Sequence, residues 1–185
     1  MVTSLLPEAE SRMQKTTEAL KREMSAIRSG RASTALVANV IVDYNGVPTP
    51  LNQLATITAP EARLLVIQPW DRQCISEIER GILKSGLGLN PATDGAIIRL
   101  PIPEPTEERR RELVKVVRRH AEEARVAARN VRRDALDKLR AMERNKEISQ
   151  DDSRRLQERL QKLTDTAISQ INAVATEKEA EVMEV

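Results

Sequence analysis

From Leu6 onward the chain places apolar or small residues at Leu6, Ala9, Met13, Thr16, Leu20, Met24 and Ile27, a mostly three-four alternation that draws one stripe along a helix. The spacing returns after residue 105 in two longer stretches. One runs Leu113, Val117, His120, Ala124, Ala127, Val131, Ala135, Leu139 and Met142, and the other Leu156, Leu160, Leu163, Ala167, Ile171, Val174, Lys178 and Val182. Thr106, an N-cap candidate with Glu107 and Glu108 in the first turn, opens the first stretch. Ser149 and Asp152, at capping-box spacing, open the second. No stripe can be buried alone, so three of them predict an antiparallel three-helix bundle. It is elongated: at 1.5 Å per residue, a helix from Thr106 to Arg144 spans about 58 Å.

Between these stretches the pattern changes. All six glycines and eight of the nine prolines fall between Gly30 and Pro105, and the flanks hold only Pro7. Turn residues so confined predict a separate module inserted into the helical body. Asn39 to Tyr44 alternates and is β-branched, Asn45-Gly46 is a hairpin turn, and Val47 to Pro50 suits an edge strand. Ala55 to Thr58, Arg63 to Gln68 and Ala96 to Pro101 read as further strands, the last entered through a Thr93-Asp94-Gly95 turn. Ile75, Ile78, Ile82 and Leu83 mark one amphipathic helix within Asp71 to Lys84, stopped by Gly86 and Gly88. The expected fold class is therefore α+β. Residues 1–29 and 106–185 form a discontinuous helical domain, and residues 30–105 form a small β/α/β module. The two connections, Ser29-Gly30-Arg31 and Pro101-Ile102-Pro103-Glu104-Pro105, make a plausible hinge.

Composition narrows the class. Trp70 and Tyr44 are the only aromatic residues, both in the module, so Leu, Ile, Val, Ala and Met must pack the bundle. With 31% charged and 40% hydrophobic residues the chain is too apolar for disorder. Cys74 has no second cysteine to pair with, and Glu8 and Glu10 stand where a signal peptide would carry its apolar core, so a cytoplasmic protein is expected. No apolar run approaches the roughly 20 residues of a membrane span.

The net charge of +2 hides an asymmetry. Residues 106–146 carry 14 basic and 8 acidic side chains, and residues 148–185 carry 5 basic and 8 acidic. Arg111, Arg118, Arg125 and Arg132 recur every seven residues, with Arg129 one turn from both Arg125 and Arg132. Interspersed Glu122, Glu123 and Asp134 are compatible with a solvated face threaded by ion pairs. Arginine outnumbers lysine eleven to three in this stretch, however, and guanidinium grips phosphate bidentately. With no stacking aromatics, recognition of the backbone and shape of folded RNA fits better than base reading.

Catalytic motifs are missing. There is no GxxxxGK, HExxH or GxSxG, and Gly86-Leu87-Gly88 lacks the third glycine of a dinucleotide fingerprint. One histidine, His120, cannot build an imidazole metal site, and a thiol enzyme resting on Cys74 and His120 has little support. The expectation is a chain that is not an enzyme and holds no cofactor or metal. A helical chaperone or exchange factor is the alternative from another class.

Six motifs in order carry a resemblance over nearly the whole chain: Ile27-Arg28-Ser29-Gly30-Arg31-Ala32; Asp43-Tyr44-Asn45-Gly46 with Thr49-Pro50-Leu51 and Gln53-Leu54-Ala55; Leu87-Gly88-Leu89-Asn90-Pro91; Thr106-Glu107-Glu108-Arg109-Arg110; Arg129-Asn130-Val131-Arg132-Arg133-Asp134; and Gln161-Lys162-Leu163-Thr164-Asp165. Together they resemble the bacterial ribosome recycling factor. The resemblance implies an L-shaped protein that mimics the outline of tRNA and binds the post-termination ribosome at the subunit interface. Its bundle would lie on large-subunit ribosomal RNA. With elongation factor G and GTP it would split the subunits and release messenger RNA and deacylated tRNA, acting as a monomer with no nucleotide site of its own. Arg129 and Arg132 match the family's RNA-gripping arginines, with Arg133 adjacent and Arg125 and Arg118 on the same repeat; Arg28, Gly30 and Arg31 match the hinge-proximal motif. Three positions depart from the pattern: Asn45 for a second tyrosine, Gly86 for an acidic residue, and Glu104-Pro105 for Pro-Leu.

Overall fold

The computed structural model describes residues 2–184, with side chains from Ser4 onward. In chain order the elements are helix α1 (Val2–Ala26), a short helix α2 (Ala35–Ala38), strands β1 (Ile41–Tyr44), β2 (Val47–Pro50), β3 (Ala55–Glu61) and β4 (Leu64–Pro69), helix α3 (Ile75–Lys84), strands β5 (Ala92–Asp94) and β6 (Ile97–Pro101), and the long helices α4 (Glu107–Arg144) and α5 (Gln150–Met183). Two compact units result. One comprises residues 2–28 with Glu108–Glu184, the other Ser29–Glu107.

In the helical unit α1 and α5 run the same way and α4 runs against both. Glu8 meets Lys138, Arg12 meets Asp134 and Glu23 meets His120 between α1 and α4, while Arg118 meets Glu179 and Arg125 meets Asn172 between α4 and α5. The core falls into two apolar layers. Leu6, Met13, Leu139 and Leu160 belong to one, and Leu20, Val117, Ala128 and Ile171 to the other. Buried Thr17 and Thr164 satisfy their hydroxyls on the carbonyls of Met13 and Leu160 in the preceding turn, so they can sit in the interior without a desolvation penalty. Ser149 accepts a hydrogen bond from the Asp152 amide at 3.1 Å, the expected cap of α5.

The seams differ from expectation at five places, always by one residue. Thr17 rather than Thr16 is buried in α1, Ala121 and Ala128 rather than His120 and Ala127 line the core side of α4, and Thr164 and Ala175 are buried in α5 with Leu163 and Val174 only partly buried beside them. Small alanines let the neighbouring helices approach and leave the imidazole partly in water. His120 is half-buried, its Nδ1 3.0 Å from Glu23 Oε2 and 3.7 Å from Glu123 Oε2. Lys178 keeps its seam place and reaches both oxygens of Glu181 at 3.2 Å, so its stem packs while its charge is answered.

The second unit packs α3 and two sheets around a core that includes Val37, Val42, Leu51, Leu65, Ile67, Ile78, Ile82, Ile98 and Leu100. Strands β1 and β2 form the expected hairpin. Tyr44 pairs with Val47 across Asn45 at φ 53° and Gly46 at φ 83°, two left-handed residues as a type I′ turn requires. The larger sheet has the antiparallel order β3-β4-β6-β5. Strand β3 runs on to Glu61, beyond the expected Thr58, through an irregularity next to Pro60, which its place on the sheet edge tolerates. Strand β5 was not foreseen. Its three residues are all exposed, so they show no alternation, and the Thr93-Asp94 pair read as a turn ends this strand. The residues before Ile41 include helix α2 rather than more strand. Leu83, expected on the apolar face of α3, points outward and is 60% exposed.

The linkers are held by the module. The Ala32 amide donates to the Ala62 carbonyl and the Ile102 amide to the Arg63 carbonyl, each at 2.8 Å, so one β3–β4 turn grips both connections. Arg63 adds a 2.7 Å pair with Glu104. Pro101 belongs to β6 and Ile102 is buried in the module core, so the return connection is shorter than the sequence indicates. Gly30 sits at φ 84°, where a Cβ would come within 2.9 Å of Pro105 Cγ.

Gly81 supports the helix-on-hairpin contact. A Cβ there would meet the Ile41 carbonyl at 3.0 Å and Val42 Cγ2 at 3.2 Å. Backbone oxygen cannot swing aside as a side-chain end can. Gly81→Ala is therefore expected to lose about 1–2 kcal/mol through overpacking, after the roughly 1 kcal/mol gain in helix propensity. Denaturant unfolding followed by Trp70 fluorescence, which reports on this unit, measures it; an unchanged midpoint would mean that α3 is free to shift.

Candidate nucleic-acid interface

The seven-residue arginine repeat on α4 is used inside the chain. Arg118 forms a bidentate pair with Glu179, its Nε and a terminal nitrogen 3.1 and 3.2 Å from the two carboxylate oxygens. Seven residues on, Arg125 donates to Asn172 Oδ1 at 2.8 Å. Arg132 donates to Gln161 Oε1 at 3.0 Å, and Gln161 in turn donates to Asp165 at 2.8 Å. Because α4 and α5 are antiparallel, two rungs of the rising heptad, Arg118 and Arg125, meet Glu179 and Asn172, also seven apart, while Arg132 reaches Asp165 only through Gln161. The repeat is an interhelical ladder along the edge of the seam.

Electrostatics follow these contacts. The Glu179 hydrogen bond and charge push the Arg118 guanidinium further up. Glu122 accepts from Arg125 at 2.9 Å and Arg129 at 3.3 Å, and its carboxyl is held below the usual range, first by the Arg125 hydrogen bond. Among the described residues Arg129 is thus tied by one 3.3 Å bond to a neighbour on its own helix, and it remains 49% exposed. Arg133 is exposed and, among the described residues, pairs with no carboxylate. Arg132 is half-buried, with Nε buried and given no acceptor.

Of the candidates, then, Arg118, Arg125 and Arg132 share the α4–α5 edge, and Arg129 and Arg133, one turn apart, lie on the outer surface of α4. Arg140 and Arg144 extend that surface toward the end of α4. The sequence singles out Arg129 and Arg133 but not Arg140 and Arg144, because the spacing of four, seven and four along this row is less regular than the heptad beside it.

Cys74 is buried, and burial first, then the charge of Asp71, pushes its thiol up, away from a reactive thiolate. No group of three His, Cys, Asp or Glu among the described residues could hold a metal ion, and no helix among them is long and apolar enough to cross a membrane.

Comparison with known proteins assigns this architecture. The family profile described as Ribosome recycling factor matches residues 20–183. A ribosome-recycling factor of Moorella thermoacetica is 57% identical over 185 residues, all of both chains, and one of Halalkalibacterium halodurans is 56% identical over the same span. A solution structure of the ribosome recycling factor aligns with a TM-score of 0.67 at 45% identity, covering 99% of this chain and 97% of that one. A second structure, a T. thermophilus ribosome recycling factor described with E. coli elongation factor G on the E. coli post-termination complex, aligns with a TM-score of 0.60 at 44% identity, covering 98% of both. A helical body of two discontinuous segments, a β/α/β insertion and full-length identity above one half leave one assignment: the chain belongs to the ribosome recycling factor family.

Proposed function

We infer that this chain binds the post-termination ribosome through contacts of its bundle with large-subunit ribosomal RNA. With elongation factor G and GTP it then separates the subunits, so that messenger RNA and deacylated tRNA leave. The observation that carries the reading is the relative, 44% identical over 98% of the chain, described with elongation factor G on a post-termination complex. The arrangement of α4 fits the RNA part. Arg129 and Arg133 present guanidinium groups outward, while the ladder of Arg118, Arg125 and Arg132 keeps α4 and α5 in register behind them.

The chain's part is mechanical. A stiff bundle anchored on phosphates occupies the intersubunit space, and the GTPase supplies the chemistry and the push. On this reading the protein is a cytoplasmic monomer, catalyses no bond change and takes no cofactor. Pelleting with vacant ribosomes across a salt series tests it. Binding should weaken steeply with salt, and equilibrium dialysis of the purified chain should find no micromolar affinity for GTP. Ribosome binding indifferent to salt would favour contact with a protein client instead.

A further inference from the structure

Cations on α5 are segregated. Arg154, Arg155, Arg159 and Lys162 stand in its first half, whereas beyond Asp165 Lys178 is the one base among Glu177, Glu179, Glu181 and Glu184. A helix dipole favours cations at the opposite end, so helix stability does not account for this placement. Nor do ion pairs. Asp152 is engaged by the Ser149 cap and Glu158 lies 3.5 Å from Arg154, but Arg155, Arg159 and Lys162 are exposed and, among the described residues, none has a carboxylate within 4.0 Å. Spacings of four and three residues put them on one stripe about 10 Å long. At 100° per residue the stripe lies roughly 100–160° around α5 from Gln161, the residue that reaches α4.

We propose that Arg155, Arg159 and Lys162 form a second phosphate-contacting surface that grips ribosomal RNA independently of the outer face of α4. The proposal rests on the ribosome reading above. The stripe continues through Thr166 and Ser169, both exposed, and contains no apolar or aromatic side chain. A protein partner would need such an anchor at the centre of its contact, whereas a phosphate backbone needs only cations and hydroxyl donors. Two such surfaces on different helices fix the bundle against rotation about its long axis, which one row of arginines cannot do.

The test compares wild type, the triple variant Arg155→Ala/Arg159→Ala/Lys162→Ala and the double variant Arg129→Ala/Arg133→Ala in salt titrations with vacant ribosomes. The triple variant is expected to keep its helicity and to lose about 2–3 from the magnitude of its salt slope. That loss should add to the loss in the double variant, since the two stripes share no partner. A hydroxyl-radical generator tethered at Thr166→Cys, with Cys74 buried and unlabelled, should cut ribosomal RNA. If wild type binds with a steep salt dependence while the triple variant keeps the full slope and the tether cuts no RNA, the second surface does not exist and the ribosome reading stands. Scission confined to a ribosomal protein would overturn the proposal in favour of a protein contact. Salt-independent binding by wild type would remove the reading on which it rests.

Discussion

Gly30→Pro is expected to depress subunit splitting with elongation factor G by about an order of magnitude or more while leaving factor-independent ribosome binding within about twofold. Proline holds φ near −65°, whereas Gly30 stands at φ 84°, where a Cβ would lie 2.9 Å from Pro105 Cγ. The outgoing connection must therefore take another course, and the β3–β4 turn that grips it also grips the return connection. On the proposed reading splitting depends on how the module moves, so it should register this. Binding should not, since that reading places the ribosome contact on arginines of the other unit. Two further variants separate backbone strain from crowding. Gly30→Ala brings both a Cβ at positive φ and the 2.9 Å approach to Pro105, and Gly30→Ala/Pro105→Ala removes the crowding alone. Partial recovery in the double variant would assign the rest to the backbone. Equal loss of binding and splitting in Gly30→Pro would mean that the end of the bundle has been damaged. No loss of either would mean that the connections do not limit recycling.

The second large effect is expected from Arg129→Ala/Arg133→Ala, which should lower the magnitude of the salt slope for ribosome binding by about 2 with little change in melting temperature. Arg118→Ala/Arg125→Ala should do the reverse, since those side chains hold α4 to α5 through Glu179 and Asn172. A slope that falls only in the second variant would place the RNA contact on the ladder and leave the outer face idle.

This contrast shows what the sequence could and could not reveal. The heptad of Arg111, Arg118, Arg125 and Arg132 was plain, as were the three seams, the Ser149 cap and the Asn45-Gly46 turn, because each is a local pattern with a local cause. The use of the heptad was hidden. Whether Arg118 faces water or Glu179 depends on the register of two helices whose partners lie 61 residues apart, and nothing local to α4 encodes it. Strand β5 was hidden for a related reason: exposed on every residue, it is held by pairing with β6 and by the Arg99–Asp94 ion pair. The hold of Ala62 and Arg63 on both connections is likewise a meeting of distant backbone groups, which no spacing announces. Where the seams were misplaced, at Thr16, His120, Ala127, Leu163 and Val174, the helix was right and its rotation was off by one residue, because adjacent small side chains leave the edge of an apolar stripe ambiguous.

This chain is expected to drive subunit separation without chemistry of its own. Light scattering of purified post-termination ribosomes measures it directly, with the chain, elongation factor G and GTP added together and with each left out in turn. Scattering should fall only with all three present, and not at all when a non-hydrolysable analogue replaces GTP. Splitting by the chain and GTP without elongation factor G, or full splitting by elongation factor G and GTP without the chain, would contradict it.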